Sequence, residues 1–181
     1  MADPEVDRAA PGRGTPARIA IAIVVIGLAA MWGYVLYLAV GPGRQAPIDR
    51  LDDERFARAA ESRCAQALDE IDALPDAVES PTPDQRADVV AEANAALGAM
   101  LDDLEAAAPV SGDDARYASE WLADWRIYLA DRERYVEALR VDDEARFLVS
   151  EKQGERRHIT GWIDEFAKAN RMESCTTPDD V

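Results

Sequence analysis

From Ile19 to Val40 the chain reads IAIAIVVIGLAAMWGYVLYLAV, 22 residues with no charged side chain. At about 1.5 Å of rise per residue, a helix of that length is roughly 33 Å long and crosses a hydrocarbon core of about 30 Å. Everything else in the chain has to lie on one side of a bilayer or the other. The apolar core of a cleaved signal peptide is shorter, typically about 7–15 residues. Ala39-Val40-Gly41 imitates a cleavage site, but Pro42 directly after it is a poor neighbour, and no cysteine stands close behind the span to take a lipid. The expectation is an uncleaved signal anchor, a transmembrane helix over residues 18–40. It follows a cytoplasmic tail over residues 1–17 that holds Pro, Gly and charge, buries almost nothing and is expected to be disordered.

Orientation is nearly balanced on basic residues: Arg8, Arg13 and Arg18 precede the span, while Arg44, Arg50 and Arg55 follow it. The short tail and the placement of both cysteines after the span favour a cytoplasmic N-terminus at the plasma membrane. Trp32, Tyr34 and Tyr37 all fall in the second half of the span, nearer one interface. Ala29 and Gly33 form a small-xxx-small spacing that lets helices approach closely, although Ala and Gly are common throughout this span.

After a juxtamembrane linker over residues 41–47, broken by Gly41-Pro42-Gly43, about 130 residues remain, enough for one domain that buries roughly two-thirds of its unfolded surface. Of the charged residues only Asp3, Glu5, Asp7, Arg8, Arg13, Arg18 and Arg44 precede residue 45. The rest of the chain therefore carries 33 of the 36 acidic and 16 of the 20 basic residues, a net charge of −17. Such a surface repels nucleic acid and anionic headgroups and keeps a domain soluble; no nucleic-acid partner is expected. All basic residues but Lys152 and Lys168 are arginine, which fits a GC-rich genome.

The two cysteines, Cys64 and Cys175, stand near opposite ends of this region. Metal binding would call for more soft ligands. On the oxidising side of a membrane the pair reads as a structural disulfide, with two buried free thiols as the alternative.

Apolar spacing divides residues 48–176 into an all-α domain: an antiparallel bundle of three long helices plus a short C-terminal helix. The first helix is expected from about Asp49 to Leu74, with Phe56, Ala60, Cys64, Ala67, Ile71 and Leu74 inward, ended by Pro75. The second starts at a capping box of Thr82, Pro83 and Gln85 and turns Val90, Asn94, Leu97, Leu101, Leu104 and Ala108 inward. The third starts at Ser111 as N-cap and runs to about Arg140. Its inward series is Ala118, Leu122, Trp125, Leu129, Arg132, Val136 and Leu139. Tyr117, Trp121, Tyr128 and Tyr135 line one flank and, with Trp162, form a candidate aromatic patch for a partner. Residues 142–159 are either a helical turn or a short strand around Gly154. A last helix covers about Gly161 to Asn170, with Asn170 as a left-handed C-cap, and residues 177–181 are expected to be loose.

The run Phe56 to Cys64, the stretch from Asp124-Trp125-Arg126 through Asp131-Arg132 to Tyr135, and Phe166-Ala167, Asn170, Met172 and Cys175 carry a resemblance. Over most of the outer domain the chain resembles uncharacterised single-pass membrane-anchored helical proteins of high-GC Gram-positive bacteria. The resemblance implies a membrane-anchored address and attaches no activity to it.

Two polar residues interrupt the inward series. A hairpin turning near Gly112 sets Asn94 level with Arg132, and one turning near Val78 and Glu79 sets Asn94 level with the residue before Cys64. A buried guanidinium is costly unless paired, and Glu61, one turn before Cys64, is the candidate partner. The layer of Asn94, Arg132 and Glu61 is either a ligand pocket or a register device in which Arg132 snorkels to solvent.

No nucleophile elbow, zinc-protease, phosphate-loop or EF-hand motif occurs. Glu155-x-x-His158 is half of a di-iron motif that needs a second copy, and Asp142-Asp143-Glu144 reads more simply as a solvated helix start than as a calcium site. No catalytic residue, metal or cofactor is expected. Three roles follow: a non-enzymatic interaction or accessory domain bound to another envelope protein and held to the bilayer through Ile19–Val40; a ligand-binding or sensing domain using the Arg132 layer; or an envelope hydrolase using paired carboxylates.

Overall fold

The computed structural model describes residues 15–40, 49–152 and 156–180. Residues 1–14, 41–48, 153–155 and 181 fall outside the described residues, and with them most of the expected tail, the linker over 41–47 and Gly154. The chain divides into two units, residues 1–46 and 47–181.

In the first unit α1 spans Thr15–Val40. It begins inside the stretch expected to be disordered, because Pro16 falls in its first turn, where a missing N–H leaves no hydrogen bond unmade. Ile19–Leu36 is exposed along its whole length, and α1 is the one helix among the described residues long and apolar enough to cross a membrane.

The second unit is all-helical, with no strand among the described residues. α2 (Glu54–Asp72), α3 (Pro83–Ala107) and α4 (Gly112–Leu139) are joined by short connections and alternate in direction. α5 (Ile159–Ala169) packs on α4, and a 3-10 turn at Glu173–Cys175 packs on α2. The core combines Phe56, Ala60 and Ile71 of α2, Leu97, Leu101 and Leu104 of α3, Leu122 and Trp125 of α4, and Ile163 and Phe166 of α5. Each large apolar side chain fully buried there contributes about 1.5–3 kcal/mol.

Local chemistry sets the helix ends. α2 starts later than expected, because the Asp53 carboxylate accepts the Arg55 N–H at 2.9 Å and so caps it there. The Thr82 hydroxyl accepts the Gln85 N–H at 3.3 Å, while the Gln85 side chain meets that hydroxyl rather than the Thr82 backbone, so only half of the box forms. Ser111 is the N-cap of α4 without a side-chain bond. Gly112 beside it has φ 80, a region glycine enters without strain. Asp114, in the first turn, reaches instead to α2 and accepts the N–H groups of Asp52 and Asp53 at 3.0 and 2.9 Å, so one carboxylate joins two helix starts. Asn170 caps α5 at φ −101 and Arg171 is the left-handed residue. The Asn170 side chain is used elsewhere: its Oδ1 accepts the Leu51 N–H at 2.8 Å and its Nδ2 donates to Phe166 O at 3.0 Å.

Among the described residues between 142 and 158, Phe147, Leu148 and Val149 form neither a helical turn nor a strand. Phe147 sits edge-on to Tyr128 with centroids 5.9 Å apart, and Glu151 and His158 form an isolated antiparallel bridge. Cys64 and Cys175 are bonded, with Cα atoms 5.1 Å apart, and the bridge ties α2 to the 3-10 turn across 111 positions.

Candidate functional site

Arg132 projects from α4 into the domain with no exposed side-chain surface. Its Nε donates to Asn94 Oδ1 on α3 at 2.6 Å. Nη1 donates to the Tyr128 hydroxyl at 3.3 Å and to Asp180 Oδ1 at 2.5 Å, and Nη2 to Asp180 Oδ2 at 2.6 Å. The two parallel bonds to Asp180 are the fork geometry in which arginine binds carboxylates most strongly. Burial works against the charged guanidinium, and the Asp180 carboxylate with Tyr128 more than offsets it, holding Arg132 above the ordinary arginine value. Burial pushes the Tyr128 hydroxyl up, against the nearby guanidinium. Arg132 therefore neither snorkels nor faces a vacant pocket.

Glu61 is not its partner. Its two carboxylate oxygens accept the Ser174 N–H and hydroxyl at 2.9 and 2.7 Å. Hairpin counting fixes the level of a residue along the bundle and leaves its direction around the helix open. The tail expected to be loose supplies the acid instead: Thr177 N donates to Asp164 at 2.8 Å, the Tyr128 hydroxyl donates to Pro178 O at 3.3 Å, and Asp180 closes on Arg132.

The candidate aromatic residues do not form an exposed patch. Trp121, Tyr128 and Tyr135 are buried, and Tyr117 and Trp162 are half-buried. Trp121 stacks on Phe166 with centroids 5.2 Å apart and donates to Ile163 O at 3.3 Å. The flank of Tyr117, Trp121, Tyr128 and Tyr135 widens the inward face of α4 and is covered by α5 and the returning chain, and sequence reasoning missed only that Asp124 and Asp131 belong to the same series. Its signal was the pair of aspartates seven apart, breaking an apolar stripe as Arg132 breaks its neighbour. Both fasten the returning chain. Asp131 accepts the Ser150 N–H and hydroxyl, each at 2.7 Å, and Asp124 pairs with Lys152 at 2.6 Å. Lys152 and Arg157 both lie over the Trp162 ring, at 5.3 and 5.1 Å.

Burial raises the Asp124 carboxyl above the usual aspartate range, against the pull of Lys152. For a carboxyl whose folded pKa lies above its unfolded one, stability falls as pH rises from the unfolded value to the folded value and stays lower beyond it. Asp124→Asn removes that dependence. Its urea stability relative to wild type should be more favourable at pH 7 than at pH 3, and a relative stability that falls with pH would refute the account.

Among the described residues, three recesses lie largely apart from these aromatic and ionic contacts. Asp72, Asp76, Asp179 and Asp180 border a recess of about 270 Å³ beside the α2–α3 loop, with Asp180 already committed to Arg132. Ala91, Ala95, Gly98 and Leu129 line a groove of about 560 Å³ between α3 and α4. The third, about 520 Å³, lies between α2 and the end of α5, with Leu51, Ala57, Ala65 and Ala169 along it and Arg50, Arg58 and Arg171 at its edge. Among the described residues no group of three or more His, Cys, Asp or Glu is placed to hold a metal ion.

No family model matches this chain. No curated protein and no solved structure matches it either.

Proposed function

We propose that the chain is a single-pass membrane protein whose helical domain lies outside the cytoplasm and acts as a non-enzymatic interaction or accessory domain of the cell envelope, its partner another envelope protein. The envelope of a high-GC Gram-positive bacterium is the setting to which the sequence resemblance leads. The observation that carries the reading is the bond between Cys64 and Cys175 in a unit that follows one long apolar helix, since disulfides persist where glutathione and thioredoxin do not reach. The buried polar groups support a scaffold rather than a reaction centre. Arg132, Asp131 and Asn170 each hold another piece of the chain with most of their hydrogen-bonding capacity.

The test is membrane-impermeant thiol labelling of intact cells, in a Cys64→Ser/Cys175→Ser background. A cysteine replacing Ala9 in the tail should stay unlabelled, and one replacing the exposed Val110 should label readily. The reverse pattern sets the domain in the cytoplasm and defeats the proposal.

A further inference from the structure

The groove between α2 and the end of α5 combines features that the fold does not require. Leu51 and Ala57, 5% and 7% exposed, and the half-buried Ala65 and Ala169 give it an aliphatic floor. Its volume of about 520 Å³ falls in the range of small-molecule sites, roughly 300–1,000 Å³.

Three arginines stand at its edge. Arg58 is paired with Glu54 at 3.1 Å, and Glu61, the other acid along the groove, spends both oxygens on Ser174. Among the described residues the ion pairs leave Arg50 and Arg171 without an acidic partner. Two unspent positive charges flank an aliphatic floor in a region whose net charge is −17 by residue count.

Arg171 has φ 58 because it is the left-handed residue of the turn that ends α5, where Met172 N–H donates to Ala167 O at 2.9 Å and Arg171 N–H to Lys168 O at 3.3 Å; Asn enters that region at lower cost.

The geometry points to a binding site for an anionic phospholipid, its phosphate between Arg50 and Arg171 and an acyl chain along Leu51, Ala57, Ala65 and Ala169. A peptide would bring backbone N–H groups that need acceptors, and the acceptors along the groove are already engaged, Glu54 by Arg58, Glu61 by Ser174 and the Asn170 oxygen by Leu51, which leaves Ser62. An acyl chain needs none. The net charge of −17 opposes an anionic headgroup at long range, and the two arginines act within the roughly 8–10 Å over which charges are felt at ordinary salt. The source of the lipid rests on the membrane attachment proposed above.

The test uses the full chain purified in an uncharged detergent, titrated with phosphatidylglycerol or phosphatidylcholine of identical acyl chains and read by native mass spectrometry. One phosphatidylglycerol should be retained at concentrations where phosphatidylcholine adducts are about tenfold fewer, the scale set by one or two charge-assisted hydrogen bonds. Arg50→Gln/Arg171→Asn should abolish the preference. Asn tolerates the left-handed backbone, and an unchanged circular-dichroism melt shows that the variant is folded. Ala65→Leu, which fills the floor and keeps both arginines, should reduce retention. Equal retention of both lipids overturns the site. So does a preference that survives the double variant, or one lost instead with Arg13→Gln/Arg18→Gln ahead of the apolar span. Alkaline carbonate extraction of cell membranes reads the anchor separately: a chain released there defeats membrane attachment, while the headgroup preference stands or falls on the titration.

Discussion

Arg132→Ala should destabilise the domain by about 3–5 kcal/mol, chiefly through a buried amide left unpaired and a cavity in the core. The loss has three sources of unequal size. Asn94, 7% exposed, keeps a buried amide oxygen with no donor, which costs about 1–3 kcal/mol. The space left by the guanidinium and its stem lies where Arg132 is 0% exposed, and a cavity there adds to the penalty. Asp180 loses its partner too, but its side chain is 22% exposed at the edge of the chain, so it can turn to water. Arg132→Met fills most of the space and should cost only the orphaned Asn94 oxygen. Asp180→Asn does the opposite and leaves a buried cation without its carboxylate, so it should cost more than Arg132→Met. Urea melts of the full chain in detergent micelles, followed by tryptophan fluorescence, give the order Ala, then Asn at 180, then Met. An Arg132→Met variant within about 0.5 kcal/mol of wild type, the range of ordinary surface changes, would show that the layer contributes nothing to stability.

The parts of this fold that periodicity governs were legible in the amino-acid order. Heptad steps in α2, α3 and α4 place Phe56, Val90, Leu97 and Trp125 inward, and each is buried. Pro75 and Pro83 bound α2 and α3, and Cys64 and Cys175 could find only one another. Level along a hairpin was legible too, because it needs only residue counts; Asn94 and Arg132 meet across α3 and α4. Direction was not. Glu61 stands at a suitable height and turns to Ser174, a choice that depends on where the 3-10 turn lies. The acid that does meet Arg132 sits in a polar tail with no apolar pattern to locate it. The same limit hid Asp124 and Asp131, whose partners Lys152 and Ser150 lie in a segment without helical period. Charged residues that fasten loops leave a mark in sequence only when they break a stripe, and the aromatic flank of α4 is where that mark stood.

Cys175→Ser should cost about 2–5 kcal/mol, the usual loss when a native bridge leaves a small secreted domain. Most of that reflects the unfolded chain, which gains the freedom of a loop of 111 positions. Native peptide mapping without reductant should recover a single cross-linked pair, and two free thiols would remove the basis of this expectation. A native-state share is added by the position of the bond. Cys175 is buried, and the five residues after it carry Asp180 to Arg132. The bridge therefore holds one end of a short strap whose other end is the bidentate ion pair. Without it the strap is kept by Thr177 on Asp164 and by the packing of Met172. A looser strap binds Asp180 at lower effective concentration, so Asp180→Asn should cost less in the Cys175→Ser background than in wild type. Neighbours that share a structural element couple by about 0.5–3 kcal/mol, whereas independent sites add within about 0.3–0.5 kcal/mol. A double-mutant cycle from urea melts separates the cases. Additive costs would mean that α5 alone positions the tail and that the disulfide stabilises the domain only through its unfolded state.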